Sequence, residues 1–198
     1  MAIARNARPV PHSPVQARSL AHGAEPMLEI MEMPASESVS EADFKTAMRQ
    51  VTSSVAVITA RSGRARNGLT ATAVCSVSAD PPTMLVCINR SATADNLIDE
   101  SGAFSINFLA DEQHRIARLF STSKLSSEER FAEGRWISMA TGSPVLDGAV
   151  ATFDCRVVEK VPSGTHHIYF GHVVAVTSLD EEALLYRDGS FRRLAAIG

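Results

Sequence analysis

Three cysteines, one tryptophan and two tyrosines in 198 residues leave little room for several kinds of chemistry. Cys75, Cys87 and Cys155 sit far apart inside apolar, strand-like segments, without the close spacing of a zinc site or a redox dithiol. They read as buried, reduced thiols, which fits a cytoplasmic protein. No apolar run approaches the roughly 18 residues that cross a bilayer. Neither sign of charge dominates: 19 Lys and Arg stand against 22 Asp and Glu, a net charge of −3, so composition gives no reason to expect nucleic acid or an anionic membrane as partner. There is no GxGxxG after a strand, no phosphate loop ending in GK[ST], no GxSxG and no HExxH. A nucleotide cofactor would have to be held by other means.

Acidic residues are missing from the N-terminus until Glu25, while Arg5, Arg8, Arg18 and four prolines up to Pro26 fall there. The composition resembles a transit peptide and lacks the apolar core of a secretory signal. Residues 1–39 are expected to form a disordered or extended tail, with Met27, Met31 and Met33 as plausible alternative starts. Residues 40–198 are expected to form one domain, long enough to bury a sizeable core.

What is present in that domain is mostly strand-like. Ser40–Val51 reads as a helix, with Phe44, Ala47, Met48 and Val51 at helical spacing and Ser40 with Asp43 as an N-cap. Ser54–Ala60 is β-branched, Ser62–Gly68 reads as a turn, and Leu69–Ser78 returns as a strand. Met84–Asn89 predicts a short apolar strand, Ala94–Glu100 a helix ended by Gly102, and Phe104–Leu109 another strand. Asp111 is placed to cap a helix carrying Ile116, Leu119 and Phe120 on one face. Ser121–Pro144 is irregular, holds Trp136, and could border a pocket. Two long strands, Ala149–Val161 and His166–Leu179, precede a last hairpin through Leu184–Tyr186 and Phe191. Strands with a few interspersed helices but no βαβ alternation predict a mainly β fold with flanking helices, an antiparallel barrel.

One stretch invites a ligand. In Leu69–Ser78 the residues Leu69, Ala71, Ala73, Cys75 and Val77 alternate with Thr70, Thr72, Val74, Ser76 and Ser78. Period two makes one small apolar face and one face mostly of hydroxyls, which suits close approach by a flat polar ligand. Asn89, Arg90, Ser91 and Thr93 follow at a strand-to-helix junction, where free N–H groups and the helix dipole favour an anion such as phosphate. The same residues also fit a plain helix cap beside a solvated Arg90. Gly164-Thr165-His166-His167 opens a strand, and His166 at its mouth could meet a ligand or be only a polar strand end. A metal site at His166 and His172 lacks a carboxylate or thiolate companion.

The blocks NGLTATAVCSVSADPPTMLVCINRSAT, SGAFSINFLA, GTHHIYFGHV and LLYRDGSFRRL, in that order, resemble the short-chain flavin reductase family. The resemblance runs from about Phe44 to Leu194. The chain looks like the reductase component of two-component flavin-dependent monooxygenases, such as the 4-hydroxyphenylacetate hydroxylase system. It implies an FMN-binding split β-barrel of antiparallel Greek-key type and a homodimer. It also implies reduction of FMN or FAD by NADH or NADPH, with reduced flavin passed to a separate monooxygenase. Residue by residue, it implies that Thr70, Ala71, Thr72, Ala73, Val74, Cys75 and Ser76 meet the flavin ring and ribityl chain. Asn89, Arg90, Ser91 and Thr93 would hold the ribityl–phosphate end. Ser105, Asn107 and Phe108 would lie on an opposing strand, and Phe191 on the nicotinamide side. The family's glycine–acid–histidine motif falls on Gly164-Thr165-His166, with Thr165 in place of the acid and His166 where nicotinamide would be aligned. Reduction of another acceptor (a cob(II)yrinate corrinoid or a ferric chelate) and a non-catalytic flavin- or haem-binding barrel are the alternatives.

Overall fold

The computed structural model describes residues 38–197. The expected N-terminal tail falls outside them, apart from residues 38 and 39. Helix α1 (Glu41–Met48) begins as the sequence suggests, with the Ser40 hydroxyl accepting the Asp43 N–H at 3.1 Å. Its apolar residues Phe44 and Met48, and Val51 beyond its end, remain exposed.

Strands β1 (Ser53–Ser54) and β2 (Ala56–Ser62) follow, and β2 turns through Gly63-Arg64 into β3 (Ala65–Ala71). The turn is thus shorter than the predicted Ser62–Gly68. Next come β4 (Val74–Ala79), β5 (Pro82–Asn89), α2 (Thr93–Ser101) and β6 (Ala103–Phe108). Gly102 ends α2 in the left-handed conformation, φ 63°, where a residue without Cβ is favoured. Helices α3 (His114–Ser121) and α4 (Ser127–Arg130) lead to the short pair β7 (Trp136–Ser138) and β8 (Pro144–Leu146). The long strands β9 (Ala151–Ser163) and β10 (His166–Ser178) and the hairpin β11 (Leu185–Arg187) and β12 (Ser190–Arg192) complete the chain.

Seven strands form one antiparallel sheet in the order β3-β2-β6-β9-β10-β5-β4. Its two edge strands, β3 and β4, are consecutive in sequence and separated only by Thr72-Ala73. The sheet must therefore curl until its first and last strands meet at that dipeptide. No ladder joins β3 to β4 among the described residues, so the sheet curls without closing into a barrel. The predicted single strand Leu69–Ser78 is in fact two strands with different partners: Ala71 pairs with Ala56, and Val74 with Val86. Small side chains suit the corner where the backbone changes sheet edge.

The core explains the order. Along β2, Ala56, Ile58 and Ala60 enter one cluster with Val86, Ile88, Phe104, Ile106 and Tyr169, covered by Leu97 and Ile98 of α2. Val57 points the other way, into a cluster with Ile116, Ala117, Phe120, Phe131 and Leu146. A strand buried on both faces reads as a continuous apolar run, as β2 does. Each fully buried Val, Ile or Phe side chain stabilises by about 1.5–3 kcal/mol. Gly171 of β10 is required by packing, since a Cβ there would lie 2.6 Å from Phe104 Cζ and 2.8 Å from Cys155 Cβ.

Candidate functional site

The end of β5 makes a tight polar turn. Asn89 Oδ1 accepts the Ser91 N–H at 2.9 Å and the Ser91 hydroxyl at 2.8 Å, and the Ala92 N–H donates to the Asn89 carbonyl at 2.9 Å. Helix α2 then starts with Ala92 as its N-cap, and no side chain caps it. Ser91 and Thr93 are therefore not caps, contrary to the plainer sequence reading. The helix's first N–H groups and its positive dipole end keep their capacity for an anion.

A cavity of about 480 Å³ opens there, between β3 (Asn67, Thr70), the turn (Asn89, Ser91), Thr93 and the segment after α3. Arg130 lines it from α4. Its Nη1 donates to the Phe120 carbonyl at 3.0 Å, while Nε is buried without a partner. Arg130 is only 8 % exposed, and a buried cationic donor without an acceptor is costly unless an anion arrives. The site's donors thus fit a phosphate group. Arg90, the cation expected there, is exposed and lines no part of this cavity; its backbone N–H donates to the Thr165 carbonyl at 3.0 Å.

A smaller cavity of about 230 Å³ adjoins the first, and Thr70 and Ser121 line both. Val55, Ala71, Ala117, Tyr186 and Phe191 make its walls largely apolar, with Thr72 at its edge. Tyr186 and Phe191 meet edge to face at 5.8 Å between ring centres. Helix α3 flanks both spaces, presenting Ala117 and Ser121 to the smaller and Phe120 and Ser121 to the larger. A polar, cationic end joined to an apolar slot matches an aromatic ring system carried on a phosphate-bearing chain.

Other expected residues are placed differently. Ser105 and Asn107 are fully buried, so they cannot face a ligand in this space. The Ser105 hydroxyl donates to Asp154 at 2.9 Å; the Asn107 amide donates to the Val57 carbonyl at 3.0 Å and accepts the Leu146 N–H at 2.8 Å. Phe108 packs edge to face on Phe153, ring centres 6.1 Å apart. Ala73, Val74 and Cys75 line neither cavity, and Ser76 borders a separate one beside Met84 and Val174. The Thr70 hydroxyl is committed to the Ala117 carbonyl at 2.7 Å and the Ser78 hydroxyl to the Asp80 carbonyl at 3.0 Å, so the hydroxyl face is less free than its alternation implies. His166 opens β10 directly opposite Asn89, with Nδ1 2.9 Å from the Thr165 hydroxyl. It lies beside the polar end of the site rather than against Phe191, and lines neither cavity. Of the thiols only Cys155 is buried; Cys75 is exposed and Cys87 half-buried. Burial, reinforced by Asp154, pushes the Cys155 pKa up to about 12, and burial raises that of Cys87 as well, so both stay protonated.

Sequence reasoning missed two features. Arg130 lies in the irregular segment, although Ser126 with Glu129, a reciprocal capping box, marks the short helix that carries it. Asp95, buried in the first turn of α2, takes His167 Nδ1 at 2.9 Å and the Tyr169 hydroxyl at 2.8 Å, tying the helix to β10. No helix of the described residues is long and apolar enough to cross a membrane.

The family model described as "Flavin reductase like domain" matches residues 48–195. The chain belongs to this flavin reductase family. It is 41% identical over 162 residues to the FMN reductase (NADH) RutF of Stutzerimonas stutzeri, covering 81% of this chain and 92% of that protein. Among solved structures, BorF, the flavin reductase component of a bacterial two-component tryptophan halogenase, superposes with a TM-score of 0.73 at 29% identity, covering 80% of this chain and all (100%) of that one. The NADH:FAD oxidoreductase SgcE6 of Streptomyces globisporus, solved with NAD and FAD fragments, gives a TM-score of 0.72 at 28% identity over 78% of this chain and 92% of its own. The split, curled antiparallel sheet is thus the flavin reductase fold, and the site at its seam lies in the matched region.

Proposed function

We propose that this flavin reductase oxidises NADH, reduces FMN or FAD, and supplies the reduced flavin to a partner monooxygenase. The observation that carries this reading is the joined pair of cavities: a phosphate-sized set of donors (Ser91, Thr93, the α2 N-terminus and Arg130, which forms no ion pair among the described residues) opening into an apolar slot walled by Tyr186 and Phe191.

In this reading Arg130 and the α2 N-terminus neutralise the flavin's phosphate, and Asn89 with Ser91 shapes the turn that holds its chain. Thr72, at the corner between β3 and β4 and on the edge of the slot, offers backbone to the ring's polar edge. Phe191 and Tyr186 exclude water on the opposite side. A bound flavin supplies the two-electron chemistry, accepting hydride from a nicotinamide brought into contact with its ring. The protein's part is orientation, and His166 is assigned to aligning the dinucleotide rather than to moving a proton. An open site suits a product that must leave.

The finer assignments rest on the same reading. NADPH is a second possible donor. We place the flavin-reducing unit in residues 40–198, acting in the cytoplasm. A homodimer is supported by Val77, Val174 and Val176, three exposed apolar residues next to the cavity that holds Met84.

The test is a mixture of purified protein, NADH and FMN or FAD under air, followed at the reduced-nicotinamide absorbance band. Many flavin-dependent turnovers are expected. No oxidation with either flavin, at any protein concentration, rejects the proposal, and oxidation only on adding a corrinoid or ferric chelate moves the activity to that acceptor.

A further inference from the structure

His166 and His167 are consecutive on β10, and strand alternation turns them to opposite faces of the sheet. His166 stands at the mouth of the strand. His167 turns toward α2, where its Nδ1 lies 2.9 Å from both carboxylate oxygens of Asp95. The Tyr169 hydroxyl, two residues along the same face, donates to Asp95 Oδ1 at 2.8 Å. A single carboxylate, only 3 % exposed, thus takes two side-chain donors from one strand. Asp99, one helical turn further on, repeats the tie: it accepts from the Tyr169 hydroxyl at 3.0 Å and pairs with Lys160.

Asp95 is the third residue of α2, counting Thr93 as the first. An acid at that position commonly reaches back to the N-cap N–H and closes the helix start. Here it turns inward, and the Ala92 N–H is taken by the Asn89 carbonyl instead. Burying a carboxylate is costly, and well-packed apolar residues often serve stability as well. Ala94, Leu97 and Ile98 already bury the apolar side of this helix. What apolar packing does not supply is direction. Two bonds from β10 to one group fix where the first turn of α2 points. That turn walls the polar cavity: Thr93 lines it together with Asn89, Ser91 and Arg130. The helix start is therefore held twice, through the chain turn that follows Asn89 and through Asp95 on β10.

We propose that Asp95 and His167, with the Tyr169 hydroxyl, are positioning residues for the flavin's phosphate: they hold the start of α2, which no side chain caps, against the cavity that Arg130 lines. Neither Asp95 nor His167 lines that cavity, so both act through the helix. This rests on the flavin-binding part of the reading above. It also divides two neighbouring histidines, His166 serving the dinucleotide and His167, through Asp95, the flavin.

The test titrates full-chain variants with FMN and with riboflavin, followed by flavin fluorescence in the absence of NADH. Asp95→Ala should weaken FMN about tenfold, as when one charge-assisted hydrogen bond is lost, while riboflavin, which has no phosphate, moves by less than about threefold. Asp95→Asn keeps an oxygen able to accept from both His167 and Tyr169, and should return FMN affinity to within about threefold of the parent. His167→Ala and His167→Asn make a second pair should Asp95→Ala fail to fold, since the Asn amide can donate from the place of Nδ1. In steady state at saturating flavin, His167→Ala should leave the NADH KM within about twofold, the reverse of His166→Ala. Equal losses for FMN and riboflavin would make the network a support of the fold alone and overturn the proposal. So would an Asp95→Asn chain as weak as Asp95→Ala, which assigns the effect to charge rather than direction. A parent chain that binds FMN no better than riboflavin, or binds neither, has no phosphate grip to position and overturns it too. A parent that prefers FMN yet oxidises no NADH rejects the reductase activity and leaves the positioning role standing.

Discussion

His166 stands directly across the β5–β10 ladder from Asn89, so the histidine singled out for the dinucleotide shares a rung with the turn singled out for the flavin's phosphate chain. One backbone register therefore sets the separation of the two functions. Replacing His166 with Ala removes the imidazole without disturbing that ladder. The kcat/KM for NADH should fall about ten- to a hundredfold while the flavin Kd stays within about threefold. Steady-state kinetics beside flavin fluorescence titration gives both numbers. Equal losses in the two would show that the residue supports the site as a whole.

Arg130 and Arg90 make opposite predictions. Arg130→Gln removes a buried charge beside the cavity, and a charge-assisted hydrogen bond contributes about 1.5–3 kcal/mol, so FMN affinity should drop about tenfold or more. Riboflavin, which has no phosphate, should lose much less. Arg90→Ala should change neither by more than about twofold, because its side chain is exposed and outside the cavity. Titration of both ligands against both variants checks this, and a larger FMN effect from Arg90 would relocate the phosphate.

Gly171→Ala tests the packing beneath the site. The added methyl would meet the Phe104 ring and Cys155 at distances that real contacts do not tolerate. Overpacking costs roughly 1–3 kcal/mol, so the urea midpoint should fall clearly. Phe104→Leu in the same chain should restore part of the loss, and no recovery would place the strain elsewhere.

Acid should weaken the attachment of α2 to β10. Burial opposes the charge on Asp99, but hydrogen bonds from Lys160 and Tyr169, with the charges of Lys160 and His167, outweigh it and hold its pKa below the usual carboxylate value. A lowered folded-state pKa adds stability that is complete above the unfolded value, about 3.9 for Asp, and is lost as pH falls through the folded value. Asp99→Asn should therefore unfold at lower urea than the parent chain at pH 7, with the gap narrowing below about pH 4. A gap of the same size at pH 3 would mean that its charge is not what matters.

Much of the fold was readable because it is written locally. The two long strands were predicted at Ala149–Val161 and His166–Leu179 and occur at Ala151–Ser163 and His166–Ser178; β-branched runs and the positive-φ Gly164 between them suffice. The corner at Thr72-Ala73 was not readable. Small residues keep alternating through it, and nothing local says that the hydrogen-bonding partner changes from β2 to β5. Ser105 and Asn107 misled for a related reason: a polar strand residue looks alike whether it meets a ligand or a buried partner distant in sequence, here Asp154 and the backbone of Val57 and Leu146. Arg130 was hidden because its role comes from burial, which its neighbours in sequence do not reveal.

The dipeptide Thr72-Ala73 is the one covalent stitch between the sheet's first and last strands. Elsewhere neighbouring strands are bound by ladders; here two edges approach with only a peptide tether. A flavin held in the cavities beside β3 would act as a removable clasp on the first of those edges. Amide exchange along β3 should then slow on loading and quicken on discharge, with β4 changing less, so that one edge of the seam would report the flavin's departure.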